Sequence, residues 1–171
     1  MSSNKKYSIN SLEKIVVNVG VGKLRNLSQF EEKVLPEITR EVSLITGQKP
    51  VSRTARQSIA GFKIRSGDVV GLQVTLRRKK KDDFLKKLVY VILPRVKDFR
   101  GVSLHNVDER GNLNIGFREQ QVFPEIVPEQ SRVSFGAQVT LVPVIKNREA
   151  AIDFFKGLGV PFKGIERKIK A

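Results

Sequence analysis

Residues 69–77 alternate with period two: Val70, Leu72, Val74 and Leu76 fall on one side, and Gln73, Thr75 and Arg77 on the other. Successive side chains of a strand point to opposite faces, so this pattern demands a two-faced strand with an apolar face in a core and a polar face left over. The same period recurs at 13–19, where Ile15, Val17 and Val19 oppose Lys14, Val16 and Asn18. It returns at 112–118, with Leu113, Ile115 and Phe117 inward, and at 133–144, with Val133, Phe135, Ala137, Val139 and Leu141 on one side. Strands that are apolar on one face only belong to an antiparallel sheet covered on one side.

Helical periods lie between them. Ser28 with Glu31 fits a capping box, and Val34, Ile38, Val42 and Ile45 follow at helical spacing, with Gly47 as the stop. Pro36 inside that pattern lacks the amide the helical ladder needs and predicts a kink or a late start. A second helix over 82–93 buries Phe84, Leu85, Leu88, Val89 and Ile92 and ends at Pro94. Asn147 caps a last helix whose Ala151, Phe155 and Leu158 face inward, ended by Gly159. The order predicts an α+β domain: a mainly antiparallel sheet, helices packed on one face, and the other face open to a ligand. With 171 residues, one self-supporting domain over 1–171 is expected. Its margins are a polar N-terminal segment at 1–10 and a basic C-terminal tail at 160–171, for which fraying is the expectation. The stretch EQQVFPEIVPEQSR has no strong period and is expected to be an irregular surface excursion, a common place for partner contacts.

Charge narrows the ligand. The chain holds 32 Lys and Arg against 17 Asp and Glu, a formal net charge of +15. Ten of the basic residues fall within residues 46–81, against the single acid Asp68. Positive charge concentrated on a folded scaffold favours a polyanion, because neutralising phosphates releases condensed counterions. The open sheet face is therefore expected to meet RNA. Residues 51–67 are small, basic and punctuated by glycine, which predicts a long basic loop; a functional loop and a solvated arm are both open at this point. The run Arg78 to Lys81 is either a phosphate contact or a solvated charge run. Aromatic residues make up 7% and tryptophan is absent, which argues against base stacking on a single-strand platform.

Other classes of function find little support. Gly20-Val21-Gly22 lacks the third glycine of a dinucleotide loop, since Arg25 stands there, and no Gly-Lys-Ser/Thr follows. Cysteine is absent, which removes disulfides, thiolate catalysis and cysteine-bound zinc. The single histidine, His105, with Asp108 and Glu109 nearby, is too sparse for a metal site or an acid–base pair, and Asp82-Asp83 completes no magnesium set. No catalytic residue, metal or cofactor is expected. No apolar run reaches the length of a membrane span, and the apolar stripe of the second helix is spent on the core, so no membrane partner is expected either.

The blocks EKIVVNVGVG, TGQKPVSRTARQSIAGFKIRSG, VTLR, LPRVKDFRGV and GNLNIGFREQQVFPEI, in this order and spacing, make the chain resemble the fifth protein of the large ribosomal subunit, a universal 5S rRNA-binding family, in its bacterial type. The resemblance covers roughly residues 11–163. It implies a structural protein, not an enzyme, located in the cytoplasm within the ribosome, that binds 5S rRNA and helps attach it in the central protuberance alongside large-subunit rRNA. Carried over by motif, the implied 5S rRNA contacts are Asn18 in VVNVG, Gln48 in TGQKP, and Thr75 and Arg77 in VTLR. The loop after TGQKP is implied to reach the peptidyl-site tRNA through Arg53, Arg56, Lys63 and Arg65. An intersubunit bridge to the small-subunit head protein thirteen is implied around residues 106–111 and the 130s. Two departures stand out. Bacterial members usually begin with an extra amphipathic helix where this chain has MSSNKKYSIN, and RRKKKDD is more basic than the corresponding turn usually is.

Overall fold

A computed structural model describes residues 11–164. The described chain forms two compact units. One comprises Arg77–Ile115 with the chain up to Ile15 and from Thr140 on; the other comprises Val16–Leu76 and Gly116–Val139. The strands are β1 (Leu12–Gly20), β2 (Val51–Thr54), β3 (Val69–Leu76), β4 (Leu113–Phe117) and β5 (Ala137–Pro143). They make one mainly antiparallel sheet in the order β2-β3-β1-β5-β4. With its helices this is the α+β class that the alternation predicts.

Burial follows the period-two pattern. In β1, Ile15, Val17 and Val19 are buried while Val16 and Asn18 are half-exposed; Leu12, at the strand's start, is buried out of phase with them. In β3, Leu72, Val74 and Leu76 are buried while Gln73 and Thr75 are half-exposed. Each strand thus commits one face to the core and leaves the other accessible. Residues 133–136 do not join β5, which begins at Ala137, later than the alternation predicts. Gln120 is the reason: its side-chain amide donates to the Val133 carbonyl at 2.8 Å and its Oε1 accepts from the Phe135 N–H at 3.0 Å, taking the place of a strand partner.

The segment around Gln120 is anchored where the sequence predicts a surface excursion. Gln120, Phe123 and Ile126 are all buried, and Phe123 meets Phe117 edge to face with centroids 5.4 Å apart. The turns there are single: Gln120–Val122 buries Gln120, Pro128–Gln130 buries no side chain, and Phe123 and Ile126 lie between the two.

Both helical prolines are absorbed by the same device. Helix α1 (Leu35–Thr46) is preceded by a π-helical turn at Phe30–Val34, where the Leu35 N–H returns to the Phe30 carbonyl five residues back. Helix α2 (Arg78–Lys87) runs through a π turn at Leu88–Ile92 into α3 (Leu93–Arg95), and the Leu93 N–H returns to Leu88. In each case the wide turn ends two residues before the proline, opening the helix where a proline ring otherwise crowds the carbonyl four residues back. The second helix accordingly stops at Arg95, one residue beyond the Pro94 expected to end it, and Pro36 marks a late start. The Ser28–Glu31 capping box does not form: the residue preceding the helical turns is Gln29, in the left-handed region at φ 56°, with no side-chain cap.

The closing signals behave as expected. Gly47 ends α1 with φ 65°, and Asn147 caps α4 (Arg148–Gly157) by accepting the Ala150 N–H at 3.1 Å. Part of the segment expected as a basic tail lies among the described residues. Val160 and Phe162 are buried, and Phe162 bridges Val102 as a parallel partner. Gly101 makes room for this, since a Cβ there would lie 2.7 Å from the Lys163 nitrogen. The segments 1–10 and 165–171 lie outside the described residues.

Candidate nucleic-acid interface

Asn18 and Thr75 occupy equivalent positions in their strands, each half-exposed between two buried residues. Gln48 reaches the same unit by another route. The left-handed Gly47 turns the chain out of α1, and the Gln48 Nε2 then donates to the Thr75 carbonyl over a long 3.4 Å bond. Arg77 continues the extended course of β3 (φ −135°, ψ 164°) into the start of α2. Its side chain is 57% exposed, and Nη1 stands 3.8 Å from Glu13 Oε1. Glu13 also faces Lys14 at 3.2 Å and Lys146 at 3.9 Å. These cations, led by the Lys14 hydrogen bond, hold the Glu13 carboxyl below its usual range.

The expected loop at 51–67 has more structure than its composition suggests. Its first residues form β2, an exposed edge strand paired antiparallel with β3, with Arg53 opposite Gly71 and a register shift just after it. Beyond β2 the chain makes a compact arm. The Ala55 N–H bonds to Asp68 O at 2.8 Å and the Gly67 N–H returns to Ala55 O at 2.9 Å. Ile59 pairs with Ile64 around a single helical turn at Ala60–Phe62.

Asp68 secures the base of the arm. Its carboxylate accepts the Arg65 N–H at 2.6 Å and pairs with the Arg25 guanidinium. The Arg25 hydrogen bond, then that of the Arg65 backbone, holds the Asp68 carboxyl below the ordinary range. Arg56, Lys63 and Arg65 are exposed on this arm. At its tip Phe62 is 74% exposed and Ile59 48% exposed. Phe62 was not singled out by its sequence pattern; the available signal was a lone aromatic between a glycine and a lysine.

The four basic contacts expected of the loop therefore do not share one setting. Arg56, Lys63 and Arg65 lie on the arm, whereas Arg53 lies on the sheet edge, where its Nε donates to Gln73 Oε1 at 2.6 Å. Arg53 also lines an open depression of about 440 Å³ together with Asn18, Gly20, Gly71, Gly136 and Gln138.

The run after β3 divides as well. Arg78, Lys79 and Lys80 are exposed, but Lys81 is buried and donates from Nζ to the Leu12 carbonyl at 2.6 Å. Arg78 takes φ 52°, uncommon for a side chain of its size. His105 is exposed, and the Asp108 carboxylate accepts from the Asn112 N–H and Nδ2, both at 2.8 Å, which commits it to shaping its turn. Among the described residues no three His, Asp or Glu side chains are placed to hold a metal ion, and no helix is long and apolar enough to cross a membrane.

Comparison with known proteins bears on this arrangement directly. Residues 7–65 match the family described as ribosomal protein L5, and residues 69–162 match the C-terminus of the same ribosomal family. The chain belongs to the ribosomal protein L5 family. It is similar to the large ribosomal subunit protein uL5 of Helicobacter pylori strain HPAG1, 46% identical over 151 residues that cover 88% of this chain and 81% of that one. It is 45% identical to the uL5 protein of Halothermothrix orenii, over 88% of this chain and 82% of the relative. The family read from the sequence blocks is thus borne out, and with it the role of a structural ribosomal component and not an enzyme.

Proposed function

We propose that this chain, a structural constituent of the large ribosomal subunit, binds 5S rRNA through the half-exposed polar side chains Asn18, Gln48 and Thr75 together with Arg77, and helps attach that RNA in the central protuberance. The observation that carries this reading is the Gln48–Thr75 hydrogen bond, which joins two motif-matched residues from separate elements. Supporting it, Asn18 and Thr75 sit on the accessible sides of their strands, and the Arg77 side chain is more than half exposed. Double-helical RNA is recognised mainly by shape, phosphates and 2′-hydroxyls, to which short amide and hydroxyl side chains on a flat surface are suited.

On the same reading the arm carrying Arg56, Lys63 and Arg65 contacts the peptidyl-site tRNA. The surface around residues 106–111 and the 130s meets the small-subunit head protein thirteen. The exposure of all three basic side chains on a hydrogen-bonded arm supports the tRNA contact. A competition gel shift tests the central claim. Purified protein is expected to bind 5S rRNA in preference to tRNA at moderate salt; equal binding to both would reduce the claim to general RNA affinity.

A further inference from the structure

Arg53 belongs by sequence to the basic segment that follows TGQKP, yet its setting differs from that of Arg56, Lys63 and Arg65. It is the third residue of β2, directly opposite Gly71 of β3, and shares a depression with Asn18. The local ladder shifts register between Arg53 and Thr54, so the arm begins only after it.

Two features make this depression a place where a sugar–phosphate strand can lie. Its floor is low, because Gly20, Gly71 and Gly136 place no side chains there. A Cβ on Gly136 would stand 3.0 Å from the Phe117 carbonyl, so that glycine permits a close backbone approach. The rim carries one cation, Arg53, whose charge meets no carboxylate among the described residues. Arg25 is paired with Asp68 and Arg77 with Glu13, but no carboxylate among the described residues stands within ion-pair distance of Arg53.

Arg53 is instead oriented by a neutral partner. The Gln73 Oε1 accepts its Nε–H at 2.6 Å, which restrains the guanidinium plane and leaves the terminal nitrogens with their full charge. A planar fork so held suits a phosphate, which accepts two parallel N–H bonds.

We infer that Arg53 is a phosphate-binding residue of the same sheet face as Asn18, oriented by Gln73 across the glycine-floored depression, and is not one of the arm's contacts. This rests on the reading of that face as the 5S rRNA surface. The rRNA backbone crosses the floor beside Asn18, with one phosphate held by Arg53.

The test measures 5S rRNA affinity of the full chain as a function of salt, for Arg53→Ala, Arg53→Lys, Gln73→Leu, Asn18→Ala and the triple Arg56→Ala/Lys63→Ala/Arg65→Ala, with circular dichroism verifying each fold. Arg53→Ala is expected to weaken binding about tenfold and to flatten the slope of log K against log salt by about 0.7 to 0.9, the loss of one phosphate contact. Arg53→Lys and Gln73→Leu keep the slope and lose about threefold, because charge remains while orientation is lost. If Arg53→Ala changes neither affinity nor slope while Asn18→Ala weakens binding, the assignment of Arg53 is overturned and the sheet-face reading survives. If neither Arg53→Ala nor Asn18→Ala has an effect, the sheet-face reading fails and the inference with it. An Arg53→Ala protein that binds 5S rRNA normally but retains tRNA poorly, as the triple variant is expected to do, returns Arg53 to the arm and also overturns the inference.

Discussion

Gln48 and Thr75, 27 positions apart in the chain, meet where the Gln48 side-chain amide donates to the Thr75 carbonyl at 3.4 Å. The contact places a neutral donor from the end of α1 against β3. At that length it is a weak bond, so Gln48 keeps capacity for a further partner. Gln48→Ala is expected to reduce 5S rRNA affinity about fivefold, the scale of one hydrogen bond of about 1 kcal/mol, with the thermal midpoint little changed. Gln48→Glu is expected to cost more, since it brings an anion toward phosphates. Gel-shift titrations of the two variants measure both effects, and equal affinities for all three proteins would remove Gln48 from the interface.

Glu13 is the carboxylate that faces Arg77. It stands 3.8 Å from the guanidinium and neutralises part of a charge that the proposed interface needs. Glu13→Gln should therefore tighten 5S rRNA binding a few-fold at low salt, with the gain shrinking as salt screens the pair. Arg77→Ala should weaken binding by about 1 to 3 kcal/mol, the range of a charge-assisted hydrogen bond. An unchanged affinity in both variants would show that Arg77 faces no phosphate.

The basic arm depends on Asp68. Its folded carboxyl lies below the ordinary value of 3.8, with the Arg25 hydrogen bond as the first cause. A depressed acid stabilises the fold above its unfolded pKa, and that contribution disappears as pH falls through the lowered, folded value. Amide protection over residues 55–67, measured relative to intrinsic exchange at each pH, should accordingly hold down to the ordinary aspartate range and fall below it. Asp68→Asn should lower this protection at neutral pH and abolish the pH step. Arg25→Ala should lower the protection in the same direction and shrink the pH step, the Arg65 N–H bond to Asp68 remaining.

Glu41 has the opposite sign. It is 7% exposed, and burial is the first cause that raises its carboxyl above 4.5. The native protein holds this proton more tightly than the unfolded chain does, so stability is greatest below 4.5, declines as pH rises toward the elevated value, and levels off above it. Glu41→Gln is expected to raise the thermal midpoint at about pH 7 and leave it unchanged at about pH 4. A midpoint that falls at neutral pH would mean that the charged form has a compensating partner.

Gln120 holds residues 131–135 in place of a strand. Its side chain donates to Ser131 Oγ and Val133 O, both at 2.8 Å, and accepts from the Phe135 N–H at 3.0 Å. Gln120→Leu keeps much of the volume but leaves the Phe135 N–H without its partner and the Val133 carbonyl with only the 3.3 Å bond from Ser131 Oγ, at a cost of about 2 kcal/mol. Urea denaturation reads this as a lowered midpoint with an unchanged slope. A loss below about 0.5 kcal/mol would mean that the segment finds other partners.

The elements most readable in the sequence were those whose signal is local. The alternation at β1 and β3 correctly separated buried Val17, Val74 and Leu76 from half-exposed Asn18 and Thr75. The helical stripe of Phe84, Leu85, Leu88, Val89 and Ile92 proved buried throughout. Errors arose where a residue's role depends on a distant neighbour. The stretch at 119–132 is irregular and largely exposed, as its sequence reads, but Gln120 is buried because its partners Val133 and Phe135 lie 13 and 15 positions further on.

Within the candidate site, residue order alone specifies the residue types, their strand faces and the family to which they belong. Those follow from a side-chain period of two and from blocks of residues in fixed order, both properties of the chain taken in one dimension. What each positive charge faces emerges only on folding. Lys81 turns inward to a carbonyl 69 positions away, Arg25 is neutralised by Asp68, and Arg53 leaves its neighbours in the basic segment to stand beside Gln73 and Asn18. The physical reason is that a side chain's orientation follows from its own strand or helix, whereas its electrostatic partner is set by whichever distant element the fold brings against it.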